Sequence, residues 1–377
     1  MQGFIWDRKE KRMRFNETPI RTAKNFNINN IKLENIEIPE AITTFENITI
    51  IGDTSKINIE QNADNTNTDL AYGLSEELTN QVKHGANQKI KLTTNSNQNE
   101  KSKAEEMAEE MAEAEIDFNF DNENSVLIDN IEITANENTK TTVIIKYTSN
   151  QENESYHNGI IKAKAEKNSE LNIVVVNLMN TKSNNFLAIE NDFEENAKIN
   201  YTIVDFGGKH SITNYYSNLQ GDNCDNQLNT IYLGKENQVF DLNYIGELRG
   251  KKSNIDIEIQ GALKDTSKKH FKGTIDFKKG CKKATGNENE ACMLLSDTAK
   301  SIALPMLLCS EEEVEGNHSS SAGKIGEKEL FYIMSRGFEL KEAMKLMVRA
   351  RFNQILEKIE NEELREEILQ EIDTRLD

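Results

Sequence analysis

From Asn124 to Phe277 the chain never sustains a helical period, and this limits its fold more than any other feature. Stretches rich in Ile, Val and Thr alternate with Asn, Asp and Glu, and each is short. Residues 124–136, 139–149, 169–180, 184–192, 197–207, 227–234, 238–248, 254–263 and 270–277 read as strands, as do 45–52 and 55–62 upstream. Prolines are confined to Pro19, Pro39 and Pro305, so Asn, Gly and Asp must make most of the turns. Such a succession builds a sandwich, a barrel or a β-solenoid. The solenoid is preferred, because each rung leaves an apolar face that only its neighbours can cover, and stacked Asn or Ser in turns suits that design. No repeat of fixed length or fixed consensus residue is visible, so the pattern itself establishes an all-β body and leaves the architecture open.

Two regions break the β pattern. Lys101 to Glu115, KSKAEEMAEEMAEAE, predicts a helix with Met107, Met111 and Ala114 on one face, either a partner-docking element or a surface tether. The polar stretch before it, TTNSNQNEKS, reads as a flexible connection. At the C-terminus, Glu327 to Arg336 predicts a helix with Leu330, Ile333 and Met334 on one side, stopped by Gly337. Leu340, Ala343, Met344 and Met347 open a second amphipathic helix, and Leu364, Ile368 and Ile372 mark a last one. The expected organisation is a mixed N-terminal region over 1–116, a β body over 117–322 and a helical domain over 323–377.

A net charge of −19 with no basic face excludes nucleic acid as a partner, because phosphate binding needs clustered Lys and Arg. No apolar run reaches the ~20 residues of a membrane-spanning helix. The opening MQGFIWDRKEKRMRF carries charge from its seventh residue and has no signal-peptide core, so no membrane association and a cytoplasmic location are expected. Cys224, Cys281, Cys292 and Cys309 show no metal-knuckle spacing and read as reduced, structural thiols. Nucleophile-elbow, phosphate-loop, zincin and dinucleotide-binding motifs are all missing, so no catalytic residues are assigned.

Of the five histidines, His318 alone lies in a specific setting, the Ser/Gly-rich EGNHSSSAGKIG, which reads as a turn. Its imidazole suits iron or a nascent cluster; the plain alternative is a turn histidine bonded to a nearby carbonyl. Downstream, Ser335-Arg336-Gly337 joins two helices, and the planar fork of Arg336 is suited to bracing that junction or to contacting a partner.

Taken together, His318, the Ser335-Arg336-Gly337 junction and its flanking helices resemble the C-terminal signature of the SufB/SufD family, the scaffold proteins of the SUF iron–sulfur cluster assembly machinery. MLLSDTAKSIALP (293–305) resembles the family's strand–turn–strand before a proline, and HFKGTIDFKKG (270–280) its Phe-x-Gly-x-Ile strand. SufB members read Glu-His-Glu-Ala-Thr-Thr around the histidine and SufD members Cys-Ser-His-Gly-Ala-Thr. This chain reads Gly316-Asn317-His318-Ser319-Ser320-Ser321, keeping the histidine but neither the SufB glutamates nor the SufD cysteine. Where SufB places a functional cysteine the chain has Glu290, with Cys292 two residues later; Cys309 resembles a second SufB cysteine. The pattern is closer to SufD-like members.

The resemblance implies a right-handed parallel β-helix core followed by a helical C-terminal domain. It implies a non-catalytic scaffold that pairs with a SufB-type subunit, or with itself, and docks the SufC ABC-type ATPase. Leu330, Phe331, Arg336, Gly337, Met344 and Met347 would face that ATPase, and His318 would sit as a ligand where a transient iron–sulfur cluster forms between subunits. No firmly bound cofactor is expected. The competing expectation is a carbohydrate-binding or carbohydrate-degrading β-solenoid.

Overall fold

A computed structural model describes residue 39 and residues 43–64, 66–95, 112–149 and 154–377. The chain opens with strands β1 (Ile48–Gly52) and β2 (Ile57–Gln61), helix α1 (Glu76–Gly85) and strand β3 (Gln88–Thr94). From there it coils as a β-solenoid, laying one strand in each of two facing sheets per turn. One sheet takes β4 (Ala112–Phe120), β6 (Lys140–Ser149), β8 (Glu170–Leu178), β10 (Lys198–Asp205), β12 (Asp225–Gly234), β14 (Asn254–Leu263), β16 (Thr285–Leu294) and β18 (Glu315–Lys324). The other takes β3, β5 (Val126–Ala135), β7 (Tyr156–Ala165), β9 (Asn184–Phe193), β11 (His210–Leu219), β13 (Val239–Leu248), β15 (Lys268–Phe277) and β17 (Lys300–Cys309). Successive neighbours pair in parallel and in register, so each interior residue stacks on its counterpart one turn away.

The turn chemistry explains why no strict repeat shows in the sequence. Asn138, Asn168, Asn196 and Asn223 occupy one corner with φ between +57° and +60°, a region Asn tolerates better than most residues. Their amides form a ladder between residues 30, 28 and 27 apart. Lys252 and Lys283 take the same left-handed corner further on, so the residue changes and the spacing drifts while the geometry persists.

The middle strands of both sheets, β8 to β13, are buried on two faces, which is why a strand such as β8 reads as a near-continuous apolar run. Between the sheets, Val143, Ile173, Tyr201, Leu228 and Ile257 stack as one in-register column, in a core that also holds aromatic pairs such as Phe118–Tyr147, whose ring centroids lie 5.3 Å apart. Outside one sheet, Leu74, Leu78 and Val82 of α1 and its lead-in cover Ile128, Ile160 and Phe186. Outside the other, helices α3 (Leu340–Leu356) and α4 (Glu362–Leu376) bring Val348, Phe352, Ile368 and Ile372 onto Val176, Val204, Phe206 and Ile231. Arg375 fastens α4 by donating to the carbonyls of Leu178, Met179 and Phe206 where the chain leaves the sheet.

The helix expected over 101–115 is corrected at its end. Ala112 to Glu115 belong to β4, with Ala114 in the core, because pairing with β1 and β6 outweighs the local helical preference of Ala and Glu. Residues 101–111 lie outside the described residues. His318 is also corrected: it sits within β18, where the ladder from β16 holds the Ser/Gly-rich segment extended instead of turning.

The two ends of the solenoid differ. At one end β1 and β2 are the edge strands, each with one strand neighbour and paired antiparallel, on β4 and β3. At the other end β17 and β18 each have one strand neighbour, and most of β18 is exposed. The chain leaves β18 through Ile325 and Gly326 into α2 (Glu327–Ser335), in which no residue is buried.

Candidate functional site at the open end

Register brings the chemistry of the last rungs together. Leu228, Ile257, Glu288 and His318 are successive in-register partners on β12, β14, β16 and β18. Leu228 and Ile257 belong to the core, so this column faces the interior. The next inward column runs Thr230, Ile259, Glu290, Ser320. The alternation that makes strands therefore turns both glutamates of TGNENEACML inward.

Glu290 is fully buried and well served. It pairs with the equally buried Lys269 at 2.6 Å and accepts from the Tyr232 hydroxyl at 3.2 Å and the Ser320 hydroxyl at 2.8 Å. Lys269 lies 5.8 Å from the ring centroids of both Tyr232 and Phe271. Glu288 is different: it is 2% exposed, and neither carboxyl oxygen has a hydrogen-bond partner. Burial, followed by the charge of Glu290, pushes its carboxyl up to about 8. Gly273 on the facing sheet makes room for it, since a Cβ there would come within 1.9 Å of a Glu288 carboxyl oxygen.

His318 stands one rung beyond Glu288 and is exposed at the open end. On the outward face of the same strand, Asn317 donates to Asn287 and Ser319 to Asn289. Cys292 is buried near this cluster, its thiol pushed up by burial while Lys269 pulls it down, whereas Cys309 is exposed at the end of β17 and donates to the Glu311 carbonyl. All four cysteines are free. Among the described residues no three His, Cys, Asp or Glu side chains converge as a metal site. Among them, too, no helix is long and apolar enough to cross a membrane.

The residues proposed to face a partner lie on the neighbouring helices. Phe331 is 74% exposed on α2, with Leu330 partly so. Arg336 folds back over Tyr332, 5.1 Å from the ring centroid, and donates to its hydroxyl. Gly337 carries φ +99°, the left-handed turn that separates α2 from α3. Met344 and Met347 are half-buried on α3, and Met347 packs against the apolar layer beneath it. Tyr332, Met334, Phe338, Leu340 and Leu346 are also largely exposed around this junction. Sequence reasoning named His318 and the helix junction but missed Glu288 and Lys269. The inward alternation of Glu288 and Glu290 was a usable signal, but only strand register shows which face is inside.

The architecture defines a parallel β-solenoid protein with a helical C-terminal region beside an uncapped end. Residues 118–351 match the family model described as SUF system FeS cluster assembly, SufBD core domain. The chain belongs to the SufB/SufD family. It is 28% identical over 152 residues to the iron–sulfur cluster assembly protein SufD of Bacillus subtilis, covering 40% of this chain and 35% of that protein. It is 33% identical over 157 residues to an iron–sulfur cluster assembly SufBD family protein of Pyrococcus horikoshii, covering 41% and 34%. With SufD of Escherichia coli the identity is 23% over 171 residues, covering 45% and 40%. The chain thus spans about two fifths or less of the length of these relatives.

Proposed function

We propose that this chain is a SufD-like scaffold subunit for iron–sulfur cluster assembly. It pairs through the open end of its solenoid with a SufB-type subunit or a second copy of itself, and docks a SufC-type ABC ATPase through α2 and the start of α3. The observation that carries this reading is the bare last rung of the solenoid, where β18 is almost wholly exposed. An edge strand left with unpaired backbone groups is a template for another chain, and here β17 and β18 each have one strand neighbour and end their sheets beside the exposed helix α2.

The exposed apolar residues from Phe331 to Leu346 supply a second contact surface, of a kind that isolated soluble domains rarely display. Nucleotide chemistry would come from the ATPase, because this chain carries no phosphate-binding loop. The cluster is cargo in this reading: it forms transiently where His318 meets the partner, and the chain itself acts without catalysing a reaction. The SufD assignment rests on Asn317 and Ser319 standing where SufB carries glutamates, and on Glu290 replacing a SufB cysteine.

Native purification of the tagged chain, with its companions identified by mass spectrometry, tests the proposal. Recovery of an ABC ATPase or a second scaffold chain is expected. Recovery of the chain with neither would refute it.

A further inference from the structure

The interior of the last rungs carries two carboxylates against one ammonium. Lys269 neutralises Glu290, and Tyr232 and Ser320 complete that group's hydrogen bonds. Glu288 is left with two oxygens that no donor reaches, in a position 2% exposed. An ionised carboxylate held this way costs several kcal/mol unless a cation meets it. The surroundings are shaped for the group rather than filled around it, since Gly273 keeps clear the space that any side chain would take. The next residue in the same inward column, one strand spacing away and already at the opening, is His318.

We propose that Glu288 and His318 are this chain's two donors to a divalent metal cation taken up at the open end of the solenoid. This deepens the scaffold reading and rests on it for the identity of the metal in the cell, which would be ferrous iron. An oxygen and an imidazole nitrogen together suit a borderline first-row cation better than calcium or magnesium, which favour oxygen alone. Two donors do not complete a coordination sphere. No third metal-binding side chain converges among the described residues, so the remaining positions fall to water or to the subunit across the opening. Glu288 enters from inside the coil and His318 from its rim. The cation would therefore sit at the mouth, where a partner seated on β17 and β18 can reach it.

The test is titration of the purified full-length chain with cobalt(II), whose visible absorption reports nitrogen and oxygen ligation, repeated on the complex isolated with its partners. Glu288→Gln keeps size and removes charge. It should weaken cobalt binding at least about tenfold, the loss that removing even an outer-shell partner of a metal ligand brings. His318→Ala should do the same, and Gly273→Ala should weaken binding by displacing the Glu288 carboxyl. Ser319→Ala, on the outward face, should leave binding unchanged. Far-ultraviolet circular dichroism establishes that each variant is folded.

Binding to Glu288→Gln equal to that of the unaltered chain overturns the inference, as does absence of cobalt binding by both chain and complex. In the second case recovery of an ATPase or scaffold partner leaves the scaffold reading standing. Conversely, cobalt binding that depends on Glu288 in a chain that recovers no partner upholds the site and removes the scaffold reading.

Discussion

Replacing Lys269 by Met should destabilise the open end of the solenoid strongly, and replacing both Lys269 and Glu290 should not. Both side chains are fully buried, and their charged atoms are 2.6 Å apart. Removing one partner of such a pair typically costs about 3–5 kcal/mol, because the other charge stays buried without compensation. Glu290 would keep the Tyr232 and Ser320 hydroxyls as donors. Each hydrogen bond to a charged group contributes about 1.5–3 kcal/mol, so the lower end of the range, about 3 kcal/mol, is expected. Lys269→Met with Glu290→Met replaces the pair by apolar groups of similar length, a change that ranges from neutral to a gain of about 1–4 kcal/mol in buried pairs. Neighbouring turns contact only one another, so the loss should concentrate in the last rungs. The assay is hydrogen exchange of β16 and β18 amides, read alongside urea midpoints, arranged as a double-mutant cycle. A single variant costing less than about 1 kcal/mol, or a double variant as unstable as the single, would refute the assignment of Lys269–Glu290 as a coupled interior pair.

Asp205 gives a pH prediction. Burial raises its carboxyl to about 7 from an ordinary 3.8, despite hydrogen bonds from Ser211 and Asn177 and the nearby Arg375 charge. The folded state therefore holds a proton that the unfolded chain releases. Its stabilising contribution is complete below about pH 4 and is lost as pH rises through 7. Denaturant midpoints should fall across that window in the unaltered chain, and Asp205→Asn should remove this component. Arg375→Met should cost about 3–5 kcal/mol by leaving the carbonyls of Leu178 and Met179 without the guanidinium donor and that of Phe206 with Gln238 alone, and limited proteolysis should then release the C-terminal helices. Phe331→Ser, at a 74% exposed position, should change stability by no more than about 0.5 kcal/mol yet abolish recovery of the ATPase. Retained ATPase binding by that variant would remove α2 as the docking element.

The fold was legible where burial is two-sided and opaque where tertiary pairing overrides local preference. Runs such as ELNIVVVNL could only be buried strands, and β8 is one. Ala112 to Glu115 failed because AEAE has helical composition, and only its neighbours β1 and β6 make it a strand. His318 failed in the same way: Ser, Gly and Ala have weak strand preference, and the ladder from β16 supplies what the sequence withholds. The solenoid period was hidden because its corner conserves a backbone conformation, φ near +57°, more than a residue type, passing from Asn138 to Lys283.

The polar interior has a consequence for where function can reside. Across β5 to β11 the interior carries a hydrogen-bonded series in which Tyr147 donates to Asp129, His157 bridges Asp129 and Asn185, and Asn185 donates to Ser211, which donates to Asp205. Each of these groups has a partner, and a one-residue slip of any strand would turn it to the wrong face, so the series penalises wrong register. The same logic accounts for Lys269 and Glu290. It does not account for Glu288, whose in-register neighbour is Ile257 and whose carboxyl oxygens have no hydrogen-bond partner to specify a register. If the proposed metal site is correct, this buried carboxylate, one rung below the exposed His318, has its use at the opening rather than in the folding of the chain.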